Sequence, residues 1–479
     1  MKTAVPVLAV CLVCVGSQQS PPTVRYVTSS EARPWQHSDA VGISQLEPDG
    51  SYDIEIHLDA PEQVIDGFGG SFNELGWEAM TVLDDAARRE VMAALFSKDG
   101  CNFGLCRMPI GANDFALNWY SLNETPGDYA MAHFSIERDR QRIIPYIHLA
   151  MELQPDLRIW GSPWSPPSWM KQSGYYACRP SRYNDLDPDA PFAGADGPTD
   201  FITDARTQDA YALYFAKYVQ AYRGEGIDVY AVQPQNEPHS CQPFPSSLWQ
   251  GEDLKNFVRD HLGPLFRERG MDTEIWYGTF ERPYEGQFAA EMDSLFNDAE
   301  AMQYISGVGF QWAGKGAIAA VHEQRPQLEL MHTETECGNG ENTWAYAEYT
   351  YDLWRHYFDH GANAQLHWNM ILSVGQVSTW GWRQNSMISV DSSSGAVRYN
   401  PEFYVVKHFS HFIQPGARKL HISGDRRSEL AFRNPDGSIV LVLHNENENA
   451  ESRRVKIGVQ VVELEIAGHA FGTVVVGQV

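Results

Sequence analysis

The feature that most constrains this chain is a repeated alternation of strand-type and helix-type segments between residues 61 and 413. Eight apolar or β-rich segments occur in that region, at residues 64–72, 102–110, 157–163, 229–235, 274–279, 305–311, 328–334 and 364–370. Segments typical of helices follow them, at residues 77–96, 136–153, 208–222, 252–269, 286–301, 317–324, 345–360 and 402–413. Eightfold alternation favours parallel strands that close into a (β/α)8 barrel.

The two ends of the chain have a different pattern. Short strand-type segments lie at residues 23–29 and 52–58, and again at 428–432, 438–444, 454–458 and 461–466. The C-terminal segments alone are too few for a comfortable sandwich. We therefore expect one β-sandwich side domain built from both ends, with its N-terminal strands in residues 21–60, the barrel in 61–413 and the remainder in 414–479.

The first 20 residues resemble a secretory signal peptide. A charged Lys2 precedes an apolar run at residues 4–15, which is too short to span a bilayer. A buried N-terminal strand is the alternative, but the polar residues 18–22 are typical of an exposed cleavage junction. We expect a secreted protein, extracellular or periplasmic, with no integral membrane segment.

Charge and cysteine content exclude several classes of function. A formal net charge of −26 repels phosphate backbones, so nucleic acid is not expected as a partner, whereas a neutral small molecule meets no such barrier. No Cys/His cluster has the spacing of zinc ligands, and we expect neither a metal nor a cofactor. Outside the leader the cysteines are odd in number: Cys101, Cys106, Cys178, Cys241 and Cys337. The sequence leaves the oligomeric state open.

Two predicted barrel strands end in glutamates. The fourth strand leads into the motif QPQNEP at residues 233–238, which contains Glu237. Catalytic residues of barrel enzymes lie at the C-terminal ends of strands, although an ordinary strand-ending turn has a similar composition. The seventh strand ends in Glu334 and Glu336, which would point to the same side of a continuing strand, so either could line a pocket.

Two carboxyl groups across a barrel mouth are what cleavage of a glycosidic bond requires. One protonates the leaving oxygen, while the other attacks carbon or activates water. Glu237 and Glu334 are 97 positions apart, on the fourth and seventh strands. A separation of about 5 to 5.5 Å gives retention and a wider one gives inversion, so the residues alone leave both mechanisms open.

Aromatic and charged residues add to this interpretation. Indole rings can cover the apolar faces of sugars, although barrel packing explains any single tryptophan equally well. The tryptophans near strand ends are Trp164, Trp169, Trp312 and Trp368. Arg107 and Asp114 bracket the end of the second strand, as a charge that orients carboxylates and a hydroxyl-binding acid, or as a structural ion pair.

Together these segments resemble glycoside hydrolase family 30, and within it the glucosylceramidase (acid β-glucosidase) branch. The matching stretches are residues 66–72, 106–115, 162–169, 236–238 and 330–337, with Trp368 and Asn385 near the eighth strand. The resemblance implies a retaining β-glycosidase acting on a small glycoside or a glycolipid, with Glu237 as acid/base and Glu334 as nucleophile, and Glu336 as the fallback.

The same resemblance implies roles for the neighbouring residues. Asn236 would bind the sugar 2-hydroxyl and Arg107 would support the acids, while Asp114, Trp164, Trp368 and Asn385 match sugar-binding positions. Trp312 is a candidate sugar-binding residue by its place after the sixth strand. An ionised nucleophile beside Glu237 should raise the pKa of that acid, so that it stays protonated before the first step.

The chain departs from that branch after the sixth strand. Gln311 precedes Trp312 where the family pattern has histidine, and Ala313 replaces a tyrosine. Residues 338–342 and the extra acid Glu336 also differ. A β-xylosidase or β-glucanase therefore remains an alternative to a glucosylceramidase-like β-glucosidase, and a carbohydrate-binding barrel is the non-enzymatic alternative.

Overall fold

The computed structural model describes residues 23–47, 50–189 and 198–477. The predicted leader, residues 1–20, lies outside the described residues. Within the described ranges the chain contains a closed barrel of eight strands and a ten-stranded sheet. The expected fold class, a (β/α)8 barrel with a side domain formed by both chain ends, is confirmed.

Four N-terminal strands precede the barrel: β1 (Val24–Ser30), β2 (Arg33–His37), β3 (Val41–Gln45) and β4 (Ile54–Val64). The predicted segments 23–29 and 52–58 overlap β1 and β4. The sequence prediction misses β2 and β3. They form the two opposite edges of the sheet and contain no fully buried residue. They therefore lack the alternation of apolar side chains that marks a half-buried strand.

Each barrel strand lies inside its predicted range, except that β9 ends one residue beyond it. They are β5 (Gly67–Ser71), β6 (Leu105–Pro109), β7 (Arg158–Ser162), β8 (Val229–Val232), β9 (Glu274–Phe280), β10 (Ile305–Gln311), β11 (Glu329–Glu334) and β12 (Ala364–Asn369). Neighbouring strands are parallel, and β12 pairs with β5 to close the barrel.

Side chains inside the barrel change from apolar to polar along the strands. Leu105 and Trp160 pack in an apolar layer to which six strands contribute. Alternate residues of one strand face the same side, so the next inward positions are Arg107 on β6 and Ser162 on β7, and these two side chains are hydrogen-bonded at 2.8 Å. The barrel therefore has a dry base and a polar layer under its C-terminal mouth.

The helices of the barrel region are α1 (Glu74–Met80), α2 (Asp85–Phe96), α3 (Ile143–Met151), α4 (Ala205–Gly224), α5 (Gly251–Phe257), α6 (Gly263–Glu268), α7 (Gly286–Phe296), α8 (Ala299–Met302), α9 (Ile318–Gln324) and α10 (Trp344–Asp359). Three predicted helices are divided, at 77–96, 252–269 and 286–301. Asp84 and Asp298 accept backbone N–H groups as N-caps and so begin new helices, while a π-helical turn, Val258–Leu262, joins α5 to α6.

The chain after the barrel completes the side domain. A small sheet comes first, with β13 (Ile371–Ser373), β14 (Ile388–Val390) and β15 (Val397–Tyr399), followed by α11 (Pro401–Ser410). The last strands are β16 (Arg418–Gly424), β17 (Leu430–Arg433), β18 (Ile439–Asn445), β19 (Glu451–Ile457), β20 (Gln460–Ile466) and β21 (Ala470–Val476). The sequence prediction misses β16 and β21.

Both ends of the chain meet in one sheet, in the order β2-β1-β21-β18-β17-β16-β4-β19-β20-β3. Strand β18 shows how this sheet is used on both faces. Ile439 and Leu441 pack in the core of the side domain, whereas Val440 and Val442 join the large core shared with the barrel. The side domain is therefore docked on the barrel through one buried face of its sheet.

Candidate active site

A cavity of about 450 Å³ opens at the C-terminal ends of the barrel strands. Its wall includes six of the residues that the sequence predicts for the site: Asp114, Trp164, Asn236, Glu237, Trp312 and Glu334. These six come from the ends of β6, β7, β8, β10 and β11 or from the loops that follow them. Parallel strands closed in a barrel bring distant sequence positions to one edge, which is why these segments meet.

Arg107 lies fully buried beneath this cavity. Its Nη1 donates to Glu334 Oε2 at 2.9 Å, and its Nη2 donates to Asn236 Oδ1 at 2.5 Å and to Ser162 Oγ at 2.8 Å. The guanidinium also lies 4.4 Å from the centre of the Trp164 ring. A buried guanidinium requires a countercharge in contact with it, and Glu334 supplies that charge.

Gln311 joins the two glutamates. Its Oε1 accepts hydrogen bonds from Arg107 Nη1 at 3.2 Å and from Thr333 Oγ1 at 2.9 Å, which fixes the orientation of the amide. Its Nε2 donates to Glu237 Oε1 at 2.8 Å and to Glu334 Oε2 at 3.2 Å. The two carboxylate oxygens are therefore at most 6.0 Å apart, the sum of these distances.

Backbone strain is located at two residues of this site. Glu237 has φ = 43° and Trp312 has φ = 48°, in the left-handed region that non-glycine residues rarely adopt. Hydrogen bonds hold both: the Glu237 N–H donates to Thr279 Oγ1 at 3.1 Å, and Trp312 Nε1 donates to Glu334 Oε1 at 3.3 Å. Such conformations persist where the surroundings enforce them, and here they set the direction of the acid and of the indole.

Burial controls the protonation of the carboxyl groups. It raises the pKa of Glu237 and that of Glu334. When the pair holds one proton, the ion pair with Arg107 places the charge on Glu334 and the proton on Glu237. Burial also raises the pKa of Asp114 and that of Glu281, each to about 7. The cavity therefore collects four acids above one buried guanidinium.

Two predicted substrate-binding residues do not line the cavity. Trp368 is buried behind Trp164, with ring centroids 5.3 Å apart, and forms part of the packing around Arg107. Asn385 is buried beside Gly338, and its Oδ1 accepts the backbone N–H groups of Gly340 and Asn342. Both residues support the wall from behind, and their role in sugar binding stays a prediction.

Glu336 also lies away from the cavity. Strand β11 ends at Glu334, so the alternation of side chains does not extend two residues further. Lys315 Nζ donates to Glu336 Oε1 at 2.8 Å and Tyr349 Oη donates to Oε2 at 2.6 Å. The expectation that either acid could line the pocket is thus resolved by the end of the strand, in favour of Glu334.

The sequence prediction misses most of the outer wall. That wall is polar with two aromatic rings: Ser240, Gln242, Phe244, Glu281, Arg282, Ala313, Gly338, Trp382, Arg383 and Gln384. The pair Glu281-Arg282 directly follows β9, so its position at a strand end is a signal that could have identified it. Trp382 and Arg383 are in the connection between β13 and β14, where no periodic pattern marks individual residues.

Replacing Glu281 with glutamine tests the state of the buried acids. Neither carboxylate oxygen of Glu281 has a hydrogen-bond partner among the described residues. Because burial raises its pKa from 4.5 to about 7, the folded protein binds more protons than the unfolded chain in that interval, so this group costs stability as the pH rises through it. We expect Glu281→Gln to flatten the decrease in Tm between about pH 4.5 and pH 7, measured by thermal unfolding. An unchanged slope would contradict this account of Glu281.

Two further properties of the described residues bear on chemistry. In residues 23–47, 50–189 and 198–477, no three His, Cys, Asp or Glu side chains are grouped as metal ligands. Over the same ranges, no helix is both long and apolar enough to cross a membrane.

A (β/α)8 barrel with two buried carboxyl groups in a strand-end cavity walled by indoles is the arrangement that a glycoside hydrolase uses. The model of the glycosyl hydrolase family 30 TIM-barrel domain matches residues 65–413, and that of the family 30 beta sandwich domain matches residues 416–474. The chain belongs to glycoside hydrolase family 30.

Relatives within this family differ in their named activities. Putative glucosylceramidase 1 of Caenorhabditis elegans is 27% identical over 87% of this chain and 80% of its own length. An endo-1,6-beta-D-glucanase of Aspergillus fumigatus is 25% identical over 80% of this chain and 79% of its own. The crystal structure of SrfJ from Salmonella typhimurium has a TM-score of 0.83 at 25% identity, covering 95% of this chain and 100% of that one.

Proposed function

We propose that this chain is a retaining β-glycosidase that hydrolyses β-glucosidic bonds through a covalent glycosyl-enzyme on Glu334. The observation that carries the proposal is the single amide nitrogen of Gln311 in contact with both glutamates. A separation of at most 6.0 Å, the sum of the two hydrogen-bond lengths, supports direct attack by one carboxylate, whereas inversion needs about 6.5 Å or more to admit a water between the acids.

In the first step, Glu237 gives its proton to the leaving oxygen while Glu334 attacks the anomeric carbon. Burial keeps the proton on Glu237, and Arg107 keeps the charge on Glu334. Negative charge then moves from Glu334 to Glu237. Gln311 already donates to Glu237 Oε1, so this hydrogen bond becomes stronger as that carboxyl ionises.

In the second step, Glu237 acts as a base. It takes a proton from a water molecule that has replaced the leaving group, and this water attacks the same carbon from the face opposite Glu334. The bond to Glu334 breaks, and its carboxylate is released into the ion pair with Arg107. Two displacements at one carbon restore the original anomeric configuration.

The sugar itself is held by amide, acid and indole groups. Asn236 Oδ1 accepts from Arg107, Thr279 and Gln311, which leaves its Nδ2 to donate to a sugar hydroxyl in the cavity. Asp114 offers a carboxyl oxygen that has no hydrogen-bond partner among the described residues. These groups support recognition of a hydroxylated ring.

The leaving-group side of the cavity favours a second candidate. A glucosylceramidase-like enzyme must admit a lipid aglycone, but the outer wall contains Ser240, Gln242, Glu281, Arg282, Arg383 and Gln384. Polar groups of this kind pair with hydroxyls rather than with acyl chains. This wall supports a β-glucanase-type activity, with a sugar as the leaving group, as the second candidate.

A panel of chromogenic aryl β-glycosides tests the proposal. We expect chromophore release from an aryl β-glucoside at mildly acid pH, with a higher kcat/KM than from the β-xyloside or the β-fucoside, and loss of release in Glu237→Gln when the leaving group is poor. Glucosylceramide in micelles and β-linked gluco-oligosaccharides then distinguish the two candidates. No release from any glycoside, with sugar binding seen by calorimetry, would identify a carbohydrate-binding barrel.

We further propose that residues 1–20 direct export of the chain, on the basis of the charged start, apolar run and polar junction of that segment. An extracellular or periplasmic glycosidase meets oligosaccharides and glycolipids without transport. N-terminal sequencing of protein recovered outside the cytoplasm should give a start near residue 21. Recovery of the intact chain from the cytoplasm alone would contradict the proposal.

A further inference from the structure

We propose that Cys178 and Cys241 form a disulfide that joins the loop after β7 to the loop after β8, which carries Glu237. This inference concerns a covalent modification outside the reaction and does not rest on the proposed function. It starts from the position of two cysteines that are 63 residues apart in the sequence. The fold brings their thiols into hydrogen-bond contact.

The backbones of the two loops are paired at this point. Ala177 and Pro245 form an antiparallel bridge, and the Cys178 N–H donates to the carbonyl oxygen of Gln242 at 3.1 Å. In this frame the side chains of Cys178 and Cys241 pack together with Leu248, in a small buried cluster separate from the large core. The paired backbones thus place the two cysteines side by side, as a disulfide requires.

The other cysteines that the structure describes have different surroundings. Cys101, Cys106 and Cys337 are all buried in the large core. Their thiols contact Ser410, the backbone of Gly70 and the Thr335 carbonyl, respectively. Burial raises the pKa of each of these three thiols, which makes them poor nucleophiles.

Cys178 has the opposite character. The hydrogen bond from Cys241 and the nearby ammonium of Lys171 lower the pKa of Cys178 to about 6, against the effect of burial. Lys171 is itself buried in an ion pair with Asp200, whose carboxylate acts on the Cys178 pKa in the opposite direction. The lowered pKa favours Cys178 as the attacking sulfur in disulfide exchange, with the second cysteine beside it.

Formation needs an oxidant, for which a small disulfide such as oxidised glutathione is sufficient. The Cys178 thiolate attacks one glutathione sulfur, the glutathione S–S bond breaks, and one glutathione thiolate leaves. Cys241 then loses its proton and attacks the Cys178 sulfur, which releases the second glutathione thiolate. Two protein thiols are oxidised and one glutathione disulfide is reduced to two thiols. Oxidising conditions of this kind occur in the compartments of exported proteins.

The crosslink would restrain one side of the cavity. The loop after β8 supplies Ser240, Gln242 and Phe244 to the cavity wall, and Cys241 lies between the first two. A disulfide here ties that loop to the loop after β7, which contains Trp164 and the 3₁₀ turn Ser168–Met170. Closing a loop of this length also reduces the entropy of the unfolded chain, so the oxidised protein should unfold at a higher temperature.

The test equilibrates the full chain in glutathione buffers that range from reducing to oxidising, followed by thiol blocking, peptide mapping and thermal unfolding. We expect a peptide crosslinked between Cys178 and Cys241 at the oxidising end, and a Tm higher by about 2 to 4 °C than in the reduced protein. Cys101→Ala, the matched control, should keep both results. Cys178→Ala and Cys241→Ala should lose both.

Absence of that crosslinked peptide at the most oxidising ratio, with the wild-type Tm independent of the buffer, would overturn the proposal. A redox-dependent Tm that survives in Cys178→Ala would overturn it as well. Mapping of the wild-type chain decides the question even if a variant fails to fold. Activity on an aryl glycoside is measured in parallel, so a failed crosslink and a failed glycosidase assignment remain distinguishable.

Discussion

Glu334→Ala should reduce kcat/KM on an aryl β-glucoside by about 10⁴-fold or more while the far-UV circular dichroism spectrum stays that of the wild type. Loss of this carboxylate removes the group that forms the covalent intermediate. It also leaves a space next to Arg107 that a small anion can occupy. Sodium azide should therefore restore turnover and give the α-glycosyl azide, because the anion attacks from the face that Glu334 occupies.

Glu336→Ala is the matched control for that experiment. Glu336 is two residues further along the chain but is bonded to Lys315 and Tyr349, outside the cavity. We expect its replacement to leave kcat/KM within about threefold of the wild-type value, since neither Glu336 nor its partner Lys315 lines the cavity. Normal activity in Glu334→Ala together with loss of activity in Glu336→Ala would show that Glu336 is the nucleophile and would contradict the assignment to Glu334.

Arg107→Ala should produce the second large effect, on stability and activity together. Breaking a buried ion pair by removing one partner costs about 3 to 5 kcal/mol, because the remaining charge is left without compensation. Arg107 bonds the nucleophile Glu334 directly and also orders Asn236, the neighbour of the acid Glu237. The positions of both glutamates therefore depend on it. We expect kcat/KM to fall by about 10²-fold or more. Denaturant unfolding of the same preparations measures the loss of stability.

Arg107→Lys separates charge from geometry. Lysine keeps the positive charge but lacks the planar fork that bonds Glu334 through one nitrogen and Asn236 through the other. It should recover part of the stability and little of the activity. Arg140→Ala, which removes a half-exposed ion pair with Glu225, is the control and should cost less than about 1 kcal/mol. Full activity in Arg107→Ala would contradict the role of this residue.

The barrel was predictable because its buried parallel strands appear in the sequence as short apolar or β-rich segments that alternate with helical ones. Strands β5 to β12 are short, mostly buried segments that are apolar or β-rich, and helices separate them. The exceptions have local causes. Strands β2 and β3 lie exposed at the edges of the side-domain sheet, so no apolar alternation marks them, and Asp84 and Asp298 end predicted helices by capping new ones.

The meeting of Glu237 with an acid from the seventh strand was predictable, and the geometry of the two was not. The motif around Glu237 and the acids after β11 both follow strands, which placed them at one end of the barrel. Whether Glu334 or Glu336 entered the cavity depended on the residue at which β11 ends, a boundary that sequence patterns locate poorly. Gln311 was seen only as a departure from a family pattern, because a glutamine at a strand end has no signal that reveals two carboxylate partners.

Residues around the rim and behind the wall were the least predictable. Trp368 and Asn385 lie next to residues of the cavity without lining it, a difference of a few ångström that only packing decides. Phe244, Trp382 and Arg383 come from loops whose course depends on contacts with other loops. These loops form the outer wall of the cavity. Its residues were therefore harder to predict from the sequence than those at the strand ends.

The most direct test of the central claim is the configuration of the first product. Proton NMR during hydrolysis of a β-glucoside records each anomer before mutarotation mixes them. Two carboxylate oxygens at most 6.0 Å apart, bridged by Gln311, predict that the β anomer of glucose appears first and the α anomer grows in later. Early appearance of the α anomer would contradict the covalent mechanism through Glu334.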